Sequence, residues 1–201
     1  NWYVWRKGTG WMGRLLQRRT DWGVKSGNVH HVFVYEGSRS WGDVSLKAGR
    51  LPGRLDTAQG VVFRHQDPEN YCRFEKRKAR NKGGKWVTLL RLVKVKGGKE
   101  TVLQSVEKDV PPLTIAQPET YRTFQHWAKP SLAHLKKSIA KRPILADRFQ
   151  VDVRGDRAVA TLDGQRALQA KDDDFRRGAV GLYCQGRATF DNVEARLLRQ
   201  D

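Results

Sequence analysis

The sequence predicts an all-β protein built as an antiparallel sandwich, and three observations carry that prediction. First, Gly60–Glu75 (GVVFRHQDPENYCRFE) reads as two short strands around a turn. Val61 to His65 alternate, Asp67-Pro68-Glu69-Asn70 carries turn chemistry, and the alternation resumes from Tyr71 to Phe74. Second, Gly178–Leu198 (GAVGLYCQGRATFDNVEARLL) repeats the design, with a turn around Gln185-Gly186 and a closing strand from Phe190 to Leu197. Third, the remaining apolar segments are short and separated by turns at Gly37, Gly49, Gly83-Gly84 and Gly97-Gly98, as an antiparallel sandwich requires.

Taken in chain order, residues 1–21 differ from the rest. Trp2, Tyr3, Trp5 and Trp11 interleave with Arg6, Lys7, Arg14, Arg18 and Arg19, and no acid precedes Asp21. Rings beside cations suit a membrane interface or a partner's acidic groove, so this basic aromatic arm is an expected attachment element; packing against the sandwich is the alternative. The sandwich is expected over 22–201, with strands at 22–35, 40–48, 60–66, 70–76, 86–95 and 99–106. An insertion is expected at about 107–146. Within it Tyr121–Trp127 suits a strand, and Pro130–Pro143 (PSLAHLKKSIAKRP) suits one short helix, with Leu132, Leu135 and Ile139 on one face. The cations Lys136, Lys137, Lys141 and Arg142 fall on its other surface and last turn, where they suit the helix dipole. Strands are expected again at 148–153, 158–162, 167–170, 178–184 and 188–197. Asp163-Gly164 is expected as a hairpin turn and Asp191-Asn192 as a turn cap. The alternation predicts a core of Val61, Phe63, Cys72, Phe74, Leu162, Val180, Leu182, Phe190 and Val193.

The two signature segments, with WGDVSL at Trp41–Leu46 and VATLDGQRAL at Val159–Leu168, resemble the concanavalin A-like (laminin G-like) jelly-roll superfamily. The resemblance covers most of residues 40–198 and implies a jelly-roll sandwich. It extends in layout to relatives of the 3-keto-disaccharide hydrolase type. Where those relatives carry glycine-rich FFR and EVQ strand patterns, this chain has VVFRHQ and YCRFEK.

Charge is the second strong feature. Among 201 residues, 39 Lys+Arg against 21 Asp+Glu give a net charge of +18. That excess draws polyanions: an acidic polysaccharide, an acidic protein or an anionic membrane surface. The densest run, Lys76 to Lys99, holds Lys76, Arg77, Lys78, Arg80, Lys82, Lys85, Arg91, Lys94, Lys96 and Lys99 with no acid. The first six flank Gly83-Gly84 and are expected at the tip of a long hairpin, with Trp86 placed to stack on a sugar or base. No RNA-binding motif, helix-turn-helix or zinc finger is present, so specific nucleic-acid recognition is not expected. No run of eighteen apolar residues exists, so no transmembrane helix is encoded.

Catalysis is weighed against binding. Glycoside hydrolysis needs two spaced carboxylates, and the glucanase-type ExDxxE strand motif is absent. A polysaccharide lyase of this fold needs a Tyr/His pair with Arg and Gln; Tyr71, His65, Arg73 and Gln185 are the candidates. His30-His31 begin a strand and point to opposite faces, which does not suit one metal. Asp172-Asp173-Asp174 is an acidic patch that reads as a solvated turn or a calcium rim. Cys72 and Cys184 read as inert core thiols or, if their strands are neighbours, as an oxidised pair.

The leading expectation is a non-catalytic binding or assembly module that recognises an acidic partner through the basic hairpin, without a cofactor. The alternatives are a carbohydrate-active lyase or hydrolase on a polyanionic polysaccharide, and a structural subunit of a membrane-associated complex. The expected location is extracytoplasmic, periplasmic or at the cell surface. The chain starts at Asn1 rather than Met, which reads as a processed, trimmed or partial form.

Overall fold

A computed structural model describes residues 2–5, 14–17, 30–50, 58–109, 147–185 and 188–198. Thirteen strands are defined there: β1 Trp2–Trp5, β2 Arg14–Gln17, β3 His30–Tyr35, β4 Val44–Arg50, β5 Ala58–Asp67, β6 Asn70–Arg80, β7 Trp86–Lys96, β8 Lys99–Asp109, β9 Asp147–Arg154, β10 Arg157–Leu162, β11 Gln165–Lys171, β12 Ala179–Gln185 and β13 Ala188–Leu197. A 3-10 turn at Glu36–Ser38 follows β3. The strands form two antiparallel sheets, one ordered β1-β2-β13-β4-β9-β10-β11 and the other β3-β12-β5-β6-β7-β8. The protein is therefore an antiparallel β-sandwich.

The alternation of the sequence explains the core. Val61, Phe63, Cys72, Phe74, Leu90, Leu92, Val180, Leu182 and Cys184 of the six-stranded sheet meet Val44, Leu46, Phe149, Val151, Val153 and Phe190 of the other. Phe74 and Phe149 join the layers edge to face, centroids 5.6 Å apart. Charged ties close the two ends. At one, Asp147 accepts from Arg50 and Lys76, both at 2.5 Å. At the other, Lys94 binds Asp172 at 3.0 Å and also Asp174, which Lys96 holds at 2.6 Å.

Turn chemistry sets the hairpins. Asp67 Oδ1 accepts from Glu69 N at 2.8 Å and Asn70 Nδ2 at 3.0 Å, the expected β5–β6 turn. Asn70 Oδ1 in turn accepts from Gly97 N at 3.0 Å, tying that turn to the β7–β8 turn beside it. Asp163 and Gly164 have φ of 53° and 82°, the left-handed pair that a two-residue hairpin demands.

Among the described strands four bulges break the alternation, one of them at Ala167 of β11. In β13 the register shifts between Asp191 and Glu194, and Asn192 has φ 52°. Asp191 and Asn192 thus lie inside the last strand rather than capping a turn before it. Val193 is 40% exposed while Phe190 stays fully buried; three residues apart on one strand, they fall on opposite faces. Val193 is a correction to the expected core. In β5 the shift lies between Phe63 and Asp67, around Arg64 at φ 53°. In β8, Val102 and Gln104 pair with Val93 and Leu92, leaving Leu103 as the extra residue.

Other boundaries also moved. Trp41 to Asp43 precede β4 rather than beginning it, and β8 runs to Asp109, so the expected insertion starts later than 107. The expected helix and the expected strand at 121–127 lie outside the described residues. Within the expected arm, β1 pairs with β2, and β2 pairs with β13 through Gln17↔Ala188, Leu16↔Thr189 and Leu15↔Phe190. These backbones extend the seven-stranded sheet; strand pairing in residues 2–5 and 14–17 was not expected.

Cys72 and Cys184 are both buried. β5 lies between their strands, so the neighbour relationship an oxidised pair would need is absent. Burial pushes both thiols up, Cys184 to about 12.

Candidate functional site

The β6–β7 hairpin projects a cationic aromatic tip. Its last pair is Arg80↔Trp86, and Asn81 Oδ1 shapes the turn by accepting from Gly83 N at 3.0 Å and Lys85 N at 3.1 Å. Trp86 is 52% exposed, an uncommon state for so large a ring. Lys78 Nζ lies 4.5 Å and Arg80 Cζ 4.8 Å from its ring centroid. The ring face attracts both cations and holds their otherwise mobile side chains against it. Lys82 and Lys85 are exposed on the turn itself.

The rest of the basic run does not join this tip. β6 extends to Arg80, so Lys76 and Arg77 are strand residues well inside the hairpin. Lys76 is bound to Asp147, and Arg77 donates to Glu75 at 3.0 Å. Arg91 also pairs with Glu75, while Lys94 and Lys96 pair with the acidic loop that follows β11. The expectation that all of Lys76 to Lys85 form the tip is corrected to Lys78, Arg80, Lys82 and Lys85 with Trp86. Asp147, Glu75, Asp172 and Asp174 pair with Lys76, Arg77, Arg91, Lys94 and Lys96 instead.

Alternation on β6 sends Tyr71, Arg73, Glu75 and Arg77 to the sheet face opposite the core. Arg73 and Glu75 are fully buried and joined at 2.7 Å, and Arg73 also donates to Glu100 at 2.7 Å. Tyr183 lies against the Arg73 guanidinium, 4.6 Å from centroid to Cζ. Burial alone would raise Glu75, but Arg73, Arg91 and Arg77 outweigh it and lower its pKa. Burial alone would lower Arg73; the Glu75 charge, Tyr183 and the hydrogen bonds to Glu75 and Glu100 together outweigh it and raise it.

Three of the four residues expected for a lyase do come together. His65 stacks on Tyr71 with ring centroids 5.7 Å apart, and Arg73 Nη1 donates to Tyr71 Oη at 3.4 Å. Their electrostatics do not favour that chemistry. Burial raises the Tyr71 pKa, whereas a catalytic tyrosine must readily lose its proton, and the Arg73 charge is committed to two carboxylates. Gln185 is buried on β12, opposite Ala58.

Beside this stack lies an open cavity of about 490 Å³. Val32 and Val34 of β3, His65 and Tyr71 line it together with Arg39, Gln66, Asp67 and Pro68. Arg39 Nη1 donates to Gln66 O at 3.0 Å. Asp67 is held below the usual carboxylate range by the Asn70 side-chain amide and then the Glu69 N–H. Sequence reasoning missed Arg39, Gln66 and the Glu75 network. The i, i+2 spacing of Arg73, Glu75 and Arg77 on one strand was the available signal for the network; Arg39 and Gln66 gave none.

The remaining expectations are placed as follows. Asp172 and Asp174 are occupied by Lys94 and Lys96, and Asp173 is exposed beside them. Lys94 and Lys96 bring Asp174 down to about 2. Among the described residues no cluster of three or more His, Cys, Asp or Glu is arranged to hold a metal ion. The side chains of Trp2, Tyr3, Trp5, His30 and His31 lie outside the described set, as do Trp11, Lys136, Lys137, Lys141 and Arg142 entirely. Among the described residues no helix is long and apolar enough to cross a membrane.

No protein-family model matches the chain, and no curated protein does. Solved structures are similar in fold. A Bacillus subtilis protein of unknown function with a galectin-like fold aligns at TM-score 0.52 and 11% identity, over 94% of this chain and 84% of that one. The carbohydrate-binding module CBM66 from Bacillus subtilis aligns at TM-score 0.50 and 15% identity, over 92% of this chain and 81% of that one.

Proposed function

We propose that this protein is a non-catalytic module that binds an acidic glycan through the tip of the β6–β7 hairpin. The observation that carries the reading is Trp86, half exposed with Lys78 and Arg80 stacked over its ring. An exposed ring offers the apolar face on which a sugar packs, and cations fixed at its border meet a sulfate or carboxylate substituent. Lys82 and Lys85 extend the positive field along the turn. The fold supports the reading, since a carbohydrate-binding module uses a similar sandwich. An extracytoplasmic setting belongs to the same reading.

Binding without catalysis is supported by how the buried acids are used. Glu75, Asp147 and Asp172 each bind arginine or lysine side chains, which leaves them poorly suited to protonate a leaving group or attack a sugar. The test is titration with a sulfated and a uronate polysaccharide. Trp86→Ala and Arg80→Ala should each weaken binding about tenfold, and Lys76→Ala should change it little if the sandwich stays folded. Raising salt to about 0.5 M should also weaken binding, because exposed cations act through a field screened over about 8 Å at physiological strength. Affinity indifferent to both salt and Trp86 would sink the reading.

A further inference from the structure

The geometry points to a second binding site, for one uncharged sugar ring, in the cavity walled by Val32, Val34 and the stacked His65–Tyr71 pair. The cavity is about 490 Å³, inside the range of about 300–1,000 Å³ typical of small-molecule sites. Its lining combines two kinds of surface that a pyranose or furanose ring needs together. Val32 and Val34 offer apolar surface to the C–H face of a sugar, over a floor made by the two largely buried rings. Arg39, Gln66 and Asp67 offer a cationic donor, an amide and an anionic acceptor at the border.

Those polar groups are pre-positioned. Arg39 is held on Gln66 O at 3.0 Å, and the Gln66 amide donates to Arg177 O. Asp67 is fixed by Glu69 N and Asn70 Nδ2 and stays ionised, an acceptor for a pair of hydroxyls. One guanidinium and one carboxylate cancel in formal charge, so nothing at the border selects an acidic ligand. Hydroxyls, which both donate and accept, suit all three groups.

This site is not a continuation of the hairpin tip. Tyr71 and Arg80 stand nine residues apart on β6, about 30 Å at the rise of an antiparallel strand. The tip draws anions through four cations; the cavity holds a neutral ring by shape and hydroxyl contacts.

The experiment is a calorimetric and NMR titration of the full chain with neutral probes: glucose, galactose, mannose, fructose and their common disaccharides. At least one should bind with Kd of about 1 mM or tighter and shift the His65 ring protons. Binding should persist at about 0.5 M salt, where long-range fields between exposed charges are screened. Arg39→Ala should weaken it about tenfold, and Val34→Trp, which fills the cavity from β3, should abolish it. Arg39 is exposed, so its variant remains informative if the tryptophan disturbs β3. Trp86→Ala should leave neutral-sugar binding intact while reducing binding of the sulfated polymer. The proposal is overturned if no probe binds, if both cavity variants bind normally, or if Trp86→Ala removes the neutral ligand too.

Discussion

His65 reaches Tyr71 because Arg64, one residue earlier, is a bulge. Plain alternation would send His65 inward with Val61 and Phe63. Instead Val62 pairs with Gly181 and His65 with Ala179, so three residues of β5 span the distance of two on β12. The extra residue, Arg64, takes φ 53° and turns its guanidinium to Asp172 O at 3.2 Å and to Gly155 O. Gly178 makes room: a Cβ there would sit 2.5 Å from the Arg64 carbonyl carbon, and its φ is 151°.

Substitutions at this bulge should separate backbone from side chain. Arg64→Ala loses the hydrogen bonds and keeps the left-handed strain; Arg64→Gly loses the bonds but relieves about 1–2 kcal/mol of strain. The glycine variant should therefore be the more stable of the two by denaturant unfolding. Gly178→Ala should be worse than either Arg64 variant, since backbone rather than a flexible side chain blocks the added methyl. Equal stability of the two Arg64 variants would refute the strained bulge.

Glu75 should behave as a buried partner that cannot be removed alone. Glu75→Ala leaves Arg73 buried beside a lost carboxylate and should cost about 3–5 kcal/mol. The pH dependence has a defined sign. The folded pKa of Glu75 lies below the ordinary value of 4.5, so its stabilisation is complete above about pH 4.5 and is lost as pH falls through the folded value. The melting temperatures of the wild type and Glu75→Gln should therefore converge below pH 4.5, and a constant gap would contradict the network.

Phe190 and Val193 stand three residues apart and should respond in opposite ways. Phe190→Ala empties a fully buried site and should cost about 3–5 kcal/mol. Val193→Ala, on the outward side of the bulge, should cost less than about 0.5 kcal/mol. Comparable losses in chemical denaturation would place Val193 in the core after all.

Removing residues 1–17 should weaken the sandwich, since β2 pairs with β13 at three positions. At about 1 kcal/mol per backbone hydrogen bond lost, a penalty of roughly 3 kcal/mol lowers the melting temperature by about 6–12 °C. An unchanged melting curve would return these residues to the role of a detachable arm.

Both cysteines should resist aqueous thiol reagents at pH 8 until the protein unfolds, because burial keeps them protonated. Rapid labelling of the native chain would show that the strands covering them open readily.

The sandwich was legible because period-2 alternation is a local property: Val61, Phe63, Cys72, Phe74, Val180 and Leu182 all lie where it put them. The bulges were not legible. Whether Arg64 or Asn192 takes up an extra residue depends on partners such as Gly178 and Lys47 from distant strands. The basic run was misread for the same reason. A sequence shows ten cations from Lys76 to Lys99 with no acid among them; it does not show that Glu75, Asp147, Asp172 and Asp174 pair with half of them. The cavity escaped notice because Arg39 sits in a turn after β3 and meets Gln66 only once both hairpins are in place.

The displaced Leu103 of β8 bears on how the molecule tolerates crowding. Among the described residues β8 borders its sheet with eleven residues, long enough to template a neighbouring chain. The kink at Leu103 throws the two halves of its peptide ladder out of phase, and Lys99 and Lys108 place like charges near either end. A straight strand docking there finds matching donors and acceptors along only half its length. Crowded copies therefore find in β8 a poor template for edge-to-edge pairing.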